Sequence, residues 1–193
     1  MRRTIVLLAT MVLTLLVASG MASAATIDCV AEIPCTGTQN ADTMNGSAEQ
    51  DSMNGRAGKD LMKGNGSADE MHGGLGADEL SGGAANDLVW GGTEKGSELS
   101  TASYPDKSDD SASGGIGADL VYGGFGQGGV DHVFGNDGDD TIVVAQRGFT
   151  DGDVRVTKEI VDCGKGEDTV YRDKGKDVIA RNCEHKKEGF PLA

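Results

Sequence analysis

The chain has few aromatic residues and few basic residues for its length. Aromatic residues make up 4% of the 193 positions, and 17 Lys and Arg stand against 31 Asp and Glu, which gives a formal net charge of −14. Because aromatic side chains supply much of the area in a large core, their scarcity predicts a thin core. The acidic balance argues against nucleic acid as a partner and favours cations.

After residue 24 the chain also lacks any apolar run long enough to cross a bilayer. Residues 1–24 have a basic start, an apolar run over 5–17 and the small residues Ala22-Ser23-Ala24, a pattern typical of a secretory signal peptide. A membrane anchor is the alternative, but the run is short for one. We therefore expect a secreted mature protein with no membrane span, and loss of the two signal arginines changes its formal charge to −16.

What the chain does contain is a repeat of nine residues. An aspartate recurs every nine positions, five residues after a glycine and two before an apolar residue. The aspartates of the first block are Asp42, Asp51, Asp60, Asp69, Asp78 and Asp87. A fixed period predicts a solenoid in which each repeat is a glycine turn followed by a short strand. With two repeats per coil, we predict an all-β fold, a parallel β-roll with two short-stranded parallel sheets and loop insertions.

Stacking such coils would bring like charges together along each edge of the roll. Aspartates of successive coils would lie about 5 Å apart, the spacing between strands, and two charges there repel by about 3 kcal/mol at an effective dielectric constant near 20. No Lys or Arg occupies the facing positions. A hard divalent cation binds carboxylate and carbonyl oxygens, so the pattern predicts Ca²⁺ between the coils.

Three segments show the repeat most fully: residues 73–80 (GGLGADEL), 114–121 (GGIGADLV) and 135–142 (GNDGDDTI). They resemble the RTX, or haemolysin-type, calcium-binding repeat, whose pattern is Gly-Gly-x-Gly-x-Asp-x-apolar-x. The resemblance implies that aspartate side chains and the carbonyls of turn glycines bind calcium. The ligands it implies are Asp42, Asp51, Asp60, Asp69, Gly74, Gly76, Asp78, Gly83, Asp87, Gly115, Gly117, Asp119, Gly124, Asp131, Gly135, Asp137 and Asp140.

Several copies depart from this pattern. The second glycine of the first four copies is replaced by Thr38, Ser47, Arg56 and Asn65. These turns bind calcium weakly or not at all if the substitutions change how the carbonyls are aimed. Near the C-terminus Glu159, Asp168 and Asp177 keep the period, but glycine is sparse there, and we expect no calcium in those coils.

The breaks in the period divide the chain into six parts. These are the signal peptide at 1–24, an N-terminal cap at 25–36, a first block of repeats at 37–92, a loop insertion at 93–113, a second block with a C-terminal cap at 114–183, and a tail at 184–193. A shorter interruption lies at about residues 144–158. Folding of so thin a core is expected to depend on calcium.

The four cysteines all lie in the part expected to be exported, where disulfides form. Of the three possible connectivities we favour Cys29 with Cys35 and Cys163 with Cys183, because each pair flanks one end of the repeats. A zinc site is the alternative, but no Cys-x-x-Cys is present and no histidine is near either pair.

No arrangement of nucleophile and base can be identified in the sequence. The adjacent acids Asp139-Asp140 would point to opposite faces of a strand, and His72, His132 and His185 are scattered. We therefore predict a secreted, non-catalytic calcium-binding protein with a structural or surface-associated role, whose cell-surface or matrix partner the sequence does not name. The alternative is a calcium-assisted polysaccharide-active enzyme of the lyase or epimerase kind.

Overall fold

The computed structural model describes residues 24–31, 33–92, 108–123, 129–145, 158–173 and 177–189. Within them the chain forms short strands that alternate between two sheets. The first sheet contains β1 (Ala25–Asp28), β3 (Asp42–Asn45), β5 (Leu61–Asn65), β7 (Glu79–Ala84), β9 (Ser111–Ile116), β11 (His132–Asp137), β13 (Ile160–Lys165) and β15 (Val178–Ile179). The second contains β2 (Cys35–Thr36), β4 (Ser52–Ala57), β6 (Glu70–Leu75), β8 (Leu88–Trp90), β10 (Leu120–Tyr122), β12 (Thr141–Val143), β14 (Thr169–Arg172) and β16 (His185–Glu188).

Each strand pairs in parallel with the strand two places along the chain, so the sheets are built coil by coil. The predicted parallel β-roll is confirmed. Residues 1–23, which hold most of the predicted signal peptide, lie outside the described ranges. Among the residues that are described, no helix is long and apolar enough to cross a membrane.

The core is a narrow column of apolar side chains between the two sheets. In the register of the first sheet, Met44 pairs with Met62 and Met62 with Leu80, so equivalent residues of successive coils stack. Because strand side chains alternate between faces, each short strand contributes little more than one apolar residue. The column consists of Met44, Met53, Met62, Met71, Leu80, Val89, Ala112, Val121, Val133, Ile142, Val161 and Val170, all at most 2% exposed. These include the apolar residues predicted to face inward.

The insertions leave the register of the sheets unchanged. Strand β9 continues the first sheet beside β7 and pairs Ala112 with Leu80. It begins at Ser111, inside the range predicted as the 93–113 loop, so the predicted end of that loop was too late. The aspartate of this coil, Asp110, stacks on Asp78. A long insertion is tolerated because the coils before and after it present matching edges.

Disulfides close both ends of the roll. Cys29 is bonded to Cys35 and Cys163 to Cys183, as predicted, and all four cysteines lie in the core cluster. The zinc alternative is therefore wrong. The first bond joins the chain on either side of the N-terminal turn, and the second joins β13 to the turn that precedes β16.

Close stacking of the turns depends on glycine at specific positions. Gly76 has a φ of 121°, and a methyl group added there would overlap the carbonyl oxygen of Gly58 in the preceding coil. Gly66 lies in a neighbouring turn, but an added methyl group would meet nothing closer than 3.7 Å. Gly76 is therefore a position where a side chain should disrupt the stacking of turns, and Gly66 is its control.

We predict that Gly76→Ala lowers the free energy of unfolding by more than about 1 kcal/mol, because alanine disfavours this φ and its methyl group overlaps the backbone. Gly66→Ala should change it by less than about 0.5 kcal/mol. Urea unfolding of both variants in one buffer measures the difference. Equal effects would contradict the close packing of successive turns.

Candidate metal centre

Two rows of acidic side chains follow the two edges of the roll, one per coil in each row. The first row contains Asp42, Asp60, Asp78, Asp110, Asp131, Glu159 and Asp177, and the second contains Asp51, Asp69, Asp87, Asp119, Asp140, Asp168 and Glu184. The first-block aspartates alternate between the edges as predicted. All of them are at most 3% exposed, which is rare for carboxylates without partners.

One hydrogen bond repeats along both rows. The backbone N–H of each acidic residue donates to the carboxylate of the acidic residue one coil later, as from Asp42 to Asp60 Oδ1 at 2.8 Å and from Asp87 to Asp119 Oδ1 at 2.8 Å. Sequence reasoning missed this bond and predicted only a cation between the charges. Main-chain dipoles therefore offset part of the repulsion, but this bond satisfies only one of the two oxygens of a carboxylate.

The second carboxylate oxygen has no hydrogen-bond donor in six of the buried aspartates. These are the Oδ2 atoms of Asp60, Asp69, Asp87, Asp119, Asp140 and Asp168. An ionised oxygen buried without a partner is costly, and a hard cation is the ligand that satisfies it best. The six atoms mark where a metal ion fits this structure.

The turn that leads to each of these aspartates holds its second residue at positive φ. Gly74, Gly83 and Gly115 have φ of 109°, 120° and 128°, and Gly76 and Gly117 at the fourth place are also positive. Arg56 and Asn65 replace the second glycine, yet they too have positive φ, at 78° and 82°. The concern that these two substitutions would alter the turn is therefore not supported.

The carbonyl oxygen at the second place of one turn packs against the glycine at the same place in the next turn. A methyl group at Gly83 would overlap the carbonyl oxygen of Asn65, and one at Gly115 would overlap that of Gly83. Among the described residues no group of three or more His, Cys, Asp or Glu side chains converges as a metal site. A cation at these turns would therefore take most of its oxygens from the main chain and few from carboxylates, as Ca²⁺ sites can.

The remaining predicted ligands lie in different surroundings. Gly135 occupies the first place of its turn, packed against Asp140, and Asp131 accepts the backbone N–H of Asp110 at 3.0 Å. Asp137 lies apart from both rows, and its exposed carboxylate pairs with Lys165 Nζ at 2.8 Å on the outer surface. Gly124 lies outside the described residues.

The sequence analysis did not place Asp110 or Glu184 in the rows, and it left Asp168 out of the expected calcium ligands. Asp110 was assigned to a loop, and only the apolar Ala112 two residues later marks its place in the sequence. Asp168 was excluded because glycine is sparse around it, but Gly164 and Gly166 precede it at the second and fourth places of the turn. That partial motif was the available signal.

Burial raises the pKa of these carboxyl groups. Desolvation is the largest cause and raises the pKa of Asp60 and Asp140 to about 6 and that of Asp87 to about 7, although the backbone N–H donated from the preceding coil opposes it. Neighbouring carboxylates in the row raise these pKa values further. The pKa values of Asp69, Asp119 and Asp168 are raised for the same leading reason.

The fold and the site together define a parallel β-roll whose stacked turns present buried carboxylate and carbonyl oxygens to a cation. The family model described as the RTX calcium-binding nonapeptide repeat matches four segments, residues 36–71, 63–94, 106–128 and 125–144, about half of the chain. The chain belongs to this family, as the sequence resemblance indicated, and repeats of the family bind calcium. Comparison with curated proteins and with solved structures found no match.

We predict that, with calcium chelated, the roll becomes more stable as the pH falls from about 7.5 to about 5. A carboxyl group whose pKa is higher in the folded chain than in the unfolded chain binds more protons when folded, so acid favours folding until the pH nears the unfolded value of about 4. In saturating calcium the trend should reverse, because protons compete with the metal ion.

Far-ultraviolet circular dichroism at several pH values in chelator measures the first trend, because the folded fraction should rise as the pH falls. Urea unfolding in saturating calcium measures the second. A folded fraction that falls on acidification in chelator would contradict the raised pKa values.

Proposed function

We propose that this chain is a secreted, non-catalytic calcium-binding protein whose β-roll folds on binding the metal. The six buried Oδ2 atoms without a donor carry the proposal. Each of these atoms belongs to the aspartate that ends a turn. Because that turn stacks on the turn of the next coil, one ion can contact two coils. The carboxylate oxygens of Asp60, Asp69, Asp87, Asp119, Asp140 and Asp168, with the carbonyls of their turns, would hold the ions.

Calcium is favoured over other cations by the kind of ligand present. The six turns offer carboxylate and carbonyl oxygens and contain no histidine. Their one cysteine, Cys163, is bonded to Cys183 and is not a free ligand. Ca²⁺ accepts six to eight oxygens in irregular geometry, whereas Mg²⁺ requires a near-ideal octahedron and keeps several waters. Main-chain carbonyls fixed by stacked turns suit the less demanding ion.

Coupling of folding to calcium is supported by two features of the roll. Its core is a single column of side chains, and many of its aspartates are buried in rows of like charge. An ion that binds only the folded chain stabilises it in proportion to the logarithm of the ion concentration. Without the ion, folding leaves the six Oδ2 atoms named above buried and unsatisfied.

Export is supported by the disulfides and by the chemistry of the site. Two disulfides in a small protein are typical of oxidising compartments, and extracellular calcium modules commonly bind at about 10⁻⁴ to 10⁻³ M. The predicted signal peptide at 1–24 fits the same location. A structural or surface-associated role, with a partner at the cell surface or in the matrix, is the role we propose.

The polysaccharide-active alternative has less support. An enzyme of this kind needs an open aromatic ring face on which a sugar can stack. Among the described residues, His72, Trp90 and Tyr122 form an aromatic row on the second sheet, but their rings stack on one another. The ring centroids of Trp90 and Tyr122 are 4.0 Å apart and those of His72 and Trp90 are 5.5 Å apart. The faces of Trp90 that would stack on a sugar are therefore covered.

We predict that calcium converts the oxidised chain from largely unfolded to β-structured. Far-ultraviolet circular dichroism during a calcium titration measures the change, with an equal titration of magnesium as the control. A chelated protein with full β content and cooperative melting would contradict coupled folding. Absence of calcium binding by calorimetry would contradict the proposed function itself.

A further inference from the structure

We propose that the conformation of the second turn residue decides which turns of this chain bind calcium. The turns at residues 37–42 and 46–51 bind none, although each ends in a buried aspartate within the matched repeats. The turn at 163–168 binds calcium, although it lies beyond those repeats, which end at residue 144. The inference rests on the proposed function.

The turn at 37–42 satisfies its own aspartate. The backbone N–H of Thr38 donates to Asp42 Oδ2 at 2.6 Å and its hydroxyl donates to the same atom at 2.9 Å. The other oxygen, Oδ1, accepts the backbone N–H of Ala25 at 3.1 Å. Both oxygens of Asp42 therefore have donors. The backbone N–H of Thr38 occupies the position beside Oδ2 where a cation would lie.

The next turn has the same arrangement. The backbone N–H of Ser47 donates to Asp51 Oδ2 at 2.5 Å and its hydroxyl donates to it at 3.0 Å. Asp51 Oδ1 has no donor, because Ile33, one coil earlier, donates its N–H to the carbonyl oxygen of Val30 at 3.1 Å. Elsewhere in the row, Oδ1 accepts the N–H from the preceding coil. In Asp51, Oδ1 lacks that donor, but Oδ2, which faces the turn residues, is satisfied by Ser47.

In the later turns the second residue has positive φ and makes no such bond. This group comprises Arg56, Asn65, Gly83, Gly115, Asn136 and Gly164, with φ from 78° to 128°. None of the six Oδ2 atoms without a donor accepts the N–H of the second residue of its own turn. Threonine strongly disfavours positive φ, so Thr38 keeps the turn in the form that donates to its own carboxylate.

The turn at 163–168 belongs to the later kind. Gly164 and Gly166 have φ of 98° and 142°. Asp168 is fully buried, accepts the backbone N–H of Asp140 on Oδ1 at 2.9 Å and has no donor on Oδ2. It therefore repeats the arrangement of Asp140 and Asp119 one and two coils earlier.

Cys163 takes the first glycine's place in this turn. Its side chain enters the core, where it is bonded to Cys183, and its carbonyl oxygen packs against Gly135 as the carbonyl of Gly114 packs against Gly82. A side chain is tolerated here because the roll ends in the next coil. The disulfide therefore fixes the turn at 163–168, near the C-terminal end of the roll, in which Asp168 Oδ2 has no donor.

The first test counts bound calcium in the oxidised chain by calorimetry and native mass spectrometry. Asp168→Asn should lose one ion relative to the unchanged chain, and Asp42→Asn should lose none. Loss of an ion from Asp42→Asn, or an unchanged count for Asp168→Asn, would overturn the inference. Failure of the unchanged chain to bind any calcium would instead overturn the proposed function.

Because an Asn variant can weaken a buried row, exchange of the turn residues provides a second test. Asn136→Thr should lose one ion, since the turn of Thr38 shows that this fold accommodates threonine at the second place of a turn. Asn136→Gly is its control and should keep the count, because Gly74, Gly83 and Gly115 have positive φ at the same place. Thr38→Gly should gain an ion. An unchanged count for both Asn136→Thr and Thr38→Gly would contradict control by the turn residue.

Discussion

The structure depends on how a buried carboxylate satisfies two oxygen atoms. In both rows one oxygen accepts a backbone N–H from the preceding coil, as Asp119 does from Asp87 at 2.8 Å. This bond fixes the register of the coils but leaves the second oxygen without a donor in six aspartates. The same side chain therefore joins adjacent coils and creates the demand for a cation, so fold and site cannot be separated.

Glycine and the thin core follow from that arrangement. Coils close enough for an N–H to reach the next carboxylate are too close for side chains at Gly76 or Gly83, which meet the backbone of the neighbouring turn. The space left between the sheets holds one column of residues such as Met62 and Leu80. Stability must then come from repeated hydrogen bonds, the terminal disulfides and bound ions, since the buried apolar area per coil is small.

The fixed period was sufficient to predict the roll, its inward residues and the alternation of aspartates between two edges, because each depends on local spacing. The disulfide pairs also followed from position. The N–H bond between aspartates could not be predicted, since it depends on the stagger of successive coils. The identity of the substituted residues did not predict the conformation of the turns. Arg56 and Asn65 keep the positive φ of glycine, and the turn before Asp168 keeps positive φ at Gly164 and Gly166 although Cys163 replaces its first glycine. Asp137 matched the motif but lies on the outer surface beside Lys165.

Crystals grown with calcium and measured near a long wavelength, where calcium scatters anomalously, would test the central claim most directly. The account predicts ions between stacked turns along the second edge, bound to the Oδ2 atoms of Asp87, Asp119, Asp140 and Asp168, with none in the turn that ends at Asp42. Ions bound only to exposed carboxylates on the outer surface, with the buried Oδ2 atoms paired to protein donors, would contradict it.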